Sequence, residues 1–264
     1  MQALTRHMPL VAPIRIDSLS NVDDALVRSH GQNPCMRFPL ATSGWLLGLD
    51  GFHFGEDFRL YPGTNTIGSS TRSDLIITGP EVSRHHATID ILSGESAILY
   101  PGFTEKTLLV NGMPCHSPTP LCHADQITIG SQTLSYISLI SGNNEINKPI
   151  LLKKPPSPAV NITAGWLIQL RGDKEGRDYR LKFGENRLGS KTGLEVVIND
   201  STVPLRHAVI TRHADNWTIV PVSVTEPLSI NGLKNTGDVL ANADVLTFGR
   251  TEFLFRSLNI GWMS

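Results

Sequence analysis

The chain has 264 residues, enough for two domains of ordinary size, and its formal net charge of −1 leaves no field of one sign to draw in nucleic acid or an anionic membrane surface. Its 23 Gly and 17 Pro interrupt the sequence too often for a helical bundle and favour short strands joined by turns. Three cysteines (Cys35, Cys115, Cys122) make no disulfide framework, and apolar runs fall short of the about eighteen residues that cross a bilayer, so a reduced, cytoplasmic protein without membrane insertion is expected.

In chain order, residues 1–43 form an extension in which Ser20, with Asp23 three positions on, can cap a short helix through about Val27. No function is assigned to it. Short runs rich in β-branched and aromatic residues follow: Trp45 to Leu49, Phe58 to Leu60, Thr64 to Ile67, Leu75 to Ile77, Ala87 to Ile91, Ala97 to Tyr100, Thr107 to Val110, Gln126 to Ile129 and Thr133 to Ile137. Gly51, Pro62-Gly63, Gly79-Pro80, Ser93-Gly94, Asn111-Gly112 and Gly130-Ser131 separate them as turns. Ser141 to Ala164, with Lys153-Lys154-Pro155-Pro156-Ser157-Pro158, is read as a semi-rigid linker, because prolines stiffen the chain and supply no strand donors.

Beyond that linker the pattern repeats. Gly44-Trp45-Leu46 returns as Gly165-Trp166-Leu167, and Asp57-Phe58-Arg59-Leu60 as Asp178-Tyr179-Arg180-Leu181, both at a shift of 121 residues. The same shift carries Asn65, Gly68, Ser69, Val82, His86 and Ala87 onto Asn186, Gly189, Ser190, Val203, His207 and Ala208. Asn111-Gly112 meets Asn231-Gly232, and Asp125 meets Asp244, after small loop-length changes of the kind surface connections tolerate. The expected fold is all-β: two tandem β-sandwich domains, 44–140 and 165–258, joined by the Pro-rich linker of residues 141–164, each folding by itself.

The motifs Thr66-Ile67-Gly68-Ser69-Ser70, Val82-Ser83-Arg84-His85-His86-Ala87, Val110-Asn111-Gly112 and Asp125-Gln126-Ile127-Thr128-Ile129-Gly130 stand in the order seen in the forkhead-associated (FHA) domain. Both copies resemble that family, its bacterial members most, and the resemblance covers nearly three quarters of the chain. It implies a binding module that takes phosphothreonine peptides on loops at one end of a sandwich. A phosphothreonine carries close to two negative charges and three acceptor oxygens, so its site needs cations and oriented donors. By resemblance Ser83 supplies the phosphate-binding hydroxyl, with Arg84, Ser69, Ser70, Arg72 and Lys106 around it. His86 and His207 brace the loops, while Gly68, Gly189, Asn111 and Gly112 are structural.

The copies depart from the family pattern. Its arginine after the first glycine is Ser69 here and Ser190 in the second copy, which removes a bidentate fork. Its Asn-Gly-Thr aligns near Lys106-Thr107-Leu108, without the asparagine. Pro204, with neither hydroxyl nor N–H, replaces the serine of the second copy. Arg72, or Lys191 and Arg206 in the second copy, could stand in for the lost arginine; the alternative is that they are solvated loop charges.

Trp45 and Trp166 read as core or edge packing rather than as stacking platforms for bases. Cys115-His116 and Cys122-His123 lack zinc-site spacing, so no metal and no cofactor is expected. Ser83 has no nucleophile elbow, so no enzymatic activity is expected. The reading is a phosphothreonine-peptide adaptor whose first module reads the mark, placed among kinase and phosphatase signalling partners. The alternative is a phosphate-independent interaction scaffold in which both modules are degenerate.

Overall fold

A computed structural model describes residues 42–92, 96–139, 148–153, 161–213, 216–223, 228–235 and 237–263. The expected helix near Val27 and most of the N-terminal extension lie outside the described residues. Each copy is a sandwich of a six-stranded and a five-stranded sheet. In the first copy the six-stranded sheet runs Asp57–Leu60, Gly44–Gly48, Gln132–Ser138, Gln126–Ile129, Leu108–Val110, Met113–Pro114. The five-stranded sheet runs Leu75–Ile76, Gly63–Gly68, Ala87–Ile91, Ala97–Pro101, Thr119–Leu121. The second copy repeats both orders, from Asp178–Lys182 to Leu233–Asn235 and from Val196–Val197 to Asp238–Leu240.

Period-two alternation places the core. In Ala87–Ile91 the residues Ala87, Ile89 and Ile91 are buried and Thr88 and Asp90 half-buried, and Ala208–His213 buries Ala208 and Ile210 in the same register. Met113–Pro114 and Thr119–Leu121 are not evident from the sequence pattern because each contains a proline, and both sit at sheet edges, where a missing N–H costs no ladder bond. The turn after Leu60 is closed by one buried side chain. Asn65 accepts from Tyr61 N–H and donates to the carbonyls of Tyr61, Gly63 and Ile89; Asn186 makes the matching bonds with Lys182, Gly184 and Ile210.

The segment read as a linker contains a strand. Ile150–Lys153 pairs in parallel with Ile260–Met263, and Ile150 and Leu152 are buried. The expectation of a linker without strand donors is corrected here: Pro149 and Pro155 flank this stretch rather than interrupt it, and its apolar run Ile150-Leu151-Leu152 outweighs the composition of the segment as a whole. The second copy correspondingly extends past Leu258 to include Ile260–Met263.

The linker is also not the only join, because the copies share a core and a polar frame. Trp45, Leu47, Leu49, Ala124 and Ile137 belong to the same buried apolar cluster as Trp166, Leu167, Leu181 and Phe255. Residues Pro39–Ser264 form one compact unit. Asp178, its side chain 2 % exposed, accepts from Thr42 Oγ1 (2.9 Å) and Trp45 Nε1 (3.2 Å) and pairs with Arg59 Nε (2.6 Å). Asp57, its side chain 3 % exposed, accepts from Thr163 Oγ1 (2.7 Å) and Trp166 Nε1 (3.2 Å) and pairs with Arg180 Nε. Each buried carboxylate thus meets a hydroxyl, an indole N–H and a guanidinium, which offsets the cost of removing its charge from water.

Candidate functional site

Three loops of the first copy converge at one end of the sandwich. The backbone N–H of Ser69 donates to Ser83 O (2.9 Å) and that of Ser70 to Arg84 O (3.3 Å), which clamps the loop after Gly63–Gly68 onto the loop before Ala87–Ile91. Ser73 Oγ donates to Arg84 O as well, and Ser69 Oγ to Val82 O. This approach explains Gly68: a Cβ there would collide with the Arg84 carbonyl oxygen. The second copy builds the same clamp with Ser190 N–H on Pro204 O (3.0 Å) and Lys191 N–H on Leu205 O (3.1 Å), and a Cβ on Gly189 would strike Leu205 O.

The third loop, after Ala97–Pro101, reaches the site through a side chain without a motif signature. Thr104 Oγ1 lies 2.6 Å from Ser83 Oγ and accepts from Lys106 N–H. Nothing in the spacing of Thr104 marks it, since a lone threonine in a loop is common; only the fold brings it to Ser83. Arg84, Arg72 and Lys106 are exposed and Ser83 is half-buried. Ser70 Oγ accepts from Arg72 N–H, so the loop that carries Arg72 is fixed at its backbone.

His86 locks the arrangement from below. It is fully buried; its Nδ1 accepts from Ser83 N–H (3.1 Å) and its Nε2 lies 2.9 Å from Thr107 O. The first bond requires the proton on Nε2, which donates to Thr107. Burial lowers the imidazole pKa, and nearby Lys106 lowers it further, against the raising effect of the Thr107 carbonyl, so the ring is held neutral. His207 is equally buried: its backbone N–H donates to Leu188 O, its carbonyl accepts from Val222 N–H, and its ring meets Phe248 edge-on at 5.3 Å.

Asn111 and Gly112 lie away from these loops. They form a two-residue hairpin turn with φ of 50° and 80°, where Asn111 Nδ2 donates to Asp125 Oδ1 and Asn111 Oδ1 accepts from Gln126 N–H. Asn231, Gly232 and Asp244 reproduce that turn. A depression of about 380 Å³ at the junction of the copies is lined by Phe58, Tyr61, Asp74 and Leu75, with Arg59 and Arg180 already paired to Asp178 and Asp57. The arginines lining that depression are therefore committed to the frame, whereas the loop end presents exposed cations beside a hydroxyl pair.

The chain folds as two tandem FHA-like β-sandwiches. The FHA domain family matches residues 65–130, and a family described as the cytoplasmic domain of an inner membrane component of the type III secretion system matches residues 169–259. Among solved structures, an FHA domain studied for its phosphothreonine-dependent interactions is 26% identical, covering 36% of this chain and 96% of that one, with a TM-score of 0.33. The FHA domain of CT664 from Chlamydia trachomatis is 21% identical, covering 38% of this chain and 100% of that one, at a TM-score of 0.35. The cytoplasmic domain of the type III secretion sorting-platform protein PscD from P. aeruginosa is 19% identical, covering 38% of this chain and 85% of that one, at 0.33. A comparison with curated proteins finds no match.

Proposed function

We propose that the chain is a non-enzymatic, cytoplasmic adaptor whose first module, 44–140, takes a phosphothreonine-bearing segment of a partner protein, while the second, from residue 165 onward, serves assembly. The observation that carries this reading is the convergence of the Ser83–Thr104 hydroxyl pair, held by His86, with exposed Arg84, Arg72 and Lys106 on the neighbouring loops. A phosphate gains charge-assisted hydrogen bonds there, each worth about 1.5–3 kcal/mol. In the second copy Pro204 and Leu205 hold the corresponding places and offer no side-chain donor. The likeness of residues 169–259 to the cytoplasmic domain of a secretion-system inner membrane component supports an assembly role for that copy.

A second reading, a phosphate-independent scaffold, draws on Ser69, whose hydroxyl is spent on Val82 O where the family pattern has an arginine. Titration with phosphothreonine peptides separates the two. Affinity that falls with salt, and that Ser83→Ala or Arg84→Ala abolishes while Pro204→Ala leaves it intact, supports the reader. Equal affinity for phosphorylated and unphosphorylated peptides leaves the scaffold.

A further inference from the structure

The frame between the copies has an internal symmetry. Thr42, Trp45, Asp57 and Arg59 of the first copy map onto Thr163, Trp166, Asp178 and Arg180 of the second at one constant shift of 121 residues. The contacts these residues make across the junction come in pairs. Thr42 Oγ1 to Asp178 (2.9 Å) matches Thr163 Oγ1 to Asp57 (2.7 Å), and Trp45 Nε1 to Asp178 matches Trp166 Nε1 to Asp57, both at 3.2 Å. Arg59 Nη2 to Asp178 O (3.2 Å) matches Arg180 Nη2 to Asp57 O (3.3 Å), and Thr42 N–H to Gly176 O (3.3 Å) matches Thr163 N–H to Gly55 O (3.1 Å). The two indoles stack on each other at the centre, 4.0 Å apart and 10° from parallel. This is the pattern of an isologous interface, in which residue i meets j and j meets i, realised inside one chain.

We infer that each copy carries a self-complementary docking surface whose fitting partner is a second copy of this chain. Each copy brings one buried acceptor, Asp57 or Asp178, and the full donor set of threonine, tryptophan and arginine for the acceptor opposite. A first copy facing another first copy finds the same set: Asp57 meets Thr42, Trp45 and Arg59 of the other chain, and Trp45 meets Trp45. What selects the intrachain pairing is the connection of the copies, which sets an effective concentration of about millimolar, rather than a chemical difference between the surfaces. The bond from Arg256 Nη2 to Ser138 O lies outside the matched set, since Ile137 holds the corresponding place in the first copy.

Charge inversion in the full chain tests this. The variant Asp57→Arg/Arg59→Asp sets like charges against each other within the chain, because the introduced guanidinium faces Arg180 and the introduced carboxylate faces Asp178. Pairing of first copy with first copy and second with second, between two chains, restores both sets of opposite charges. Its particle mass by light scattering is therefore expected to be twice that of the unaltered chain. Adding Asp178→Arg/Arg180→Asp restores the intrachain pairs, and the mass returns to that of the unaltered chain. A folded first variant with unchanged mass overturns the inference. So does a first variant that unfolds while the fourfold variant stays folded. If neither variant folds, unaltered chain refolded from denaturant over a range of concentrations decides: dimers rising with concentration support the inference, and a single species throughout overturns it.

Discussion

Trp45 and Trp166 stack face to face at 4.0 Å, and each sends its indole N–H across the junction to an aspartate of the other copy. Both rings are fully buried, so the strand side chain that follows Gly44 or Gly165 in each repeat is also the centre of the join between repeats. The stability of either sandwich is consequently tied to the presence of the other.

Trp166→Ala is therefore expected to cost about 3–5 kcal/mol, the range for emptying a large aromatic from a core, and to unsettle both copies in one unfolding transition. Asp178→Asn, which keeps the shape but removes the charge facing half-exposed Arg59, is expected to cost less, about 1–3 kcal/mol. Denaturant titration with probes in each copy reads both. Two separate transitions in the Trp166→Ala protein, with the first copy unaffected, would show that the shared core contributes nothing.

His86→Ala strips a bond from Ser83 N–H and another from Thr107 O inside the first copy. A loss of about 1–3 kcal/mol follows from leaving those groups unpaired. A variant of full stability that merely loses affinity for a phosphopeptide would instead put the imidazole on the ligand.

Gly68→Ala drives a methyl group against the Arg84 carbonyl, where two loops touch. The loops have to part, breaking the Ser69 and Ser70 clamps, so phosphopeptide affinity is expected to fall at least tenfold while Gly63→Ala, whose Cβ meets open space but whose φ is 84°, costs only stability. Binding isotherms and thermal melts of the two variants discriminate these effects.

The protein should lose stability in mild acid because of His123. Burial, then the nearby charges of Arg256 and Lys148, push its pKa down to about 4 from an ordinary 6.5. Above pH 6.5 the ring is neutral folded or unfolded, and it contributes nothing. Between pH 6.5 and about 4 the unfolded chain takes up a proton that the folded chain refuses, so stability falls by at most about 1.4 kcal/mol per pH unit and levels off below. His123→Asn, which copies Asn242 of the second repeat, should flatten that part of the profile measured by denaturant unfolding at each pH. Asp200 acts lower. Burial opposes its ionisation, but the N–H and hydroxyl of Thr202 and then the N–H and guanidinium of Arg250 hold it well below the usual carboxylate range, so its contribution persists until strongly acidic pH.

The strands and turns were legible because their signals are local. Alternation in Ala87–Ile91, the left-handed Asn111-Gly112 turn and its copy at Asn231-Gly232 each depend on residues a few positions apart. The repeat itself needed only a comparison of the chain with itself, and it located both sandwiches. The motif loops were found in the same way: Ser69, Ser83 and His86 stand on the loops that meet.

Only the tertiary structure decided how the copies join and what else reaches Ser83. Asp57 and Arg59 have the same one-residue spacing as any polar pair on a strand face, and their partners lie more than a hundred positions away in the other copy. A charged residue on a strand normally faces water, so its burial was invisible until the second sandwich covered it. The trace it left was that Trp45, Asp57 and Arg59 recur in both copies although Ser83 does not. Thr104 and the strand Ile150–Lys153 escaped for the same reason: a hydroxyl or a short apolar run takes its role from what the folded chain sets beside it, at distances that neither spacing nor composition encodes.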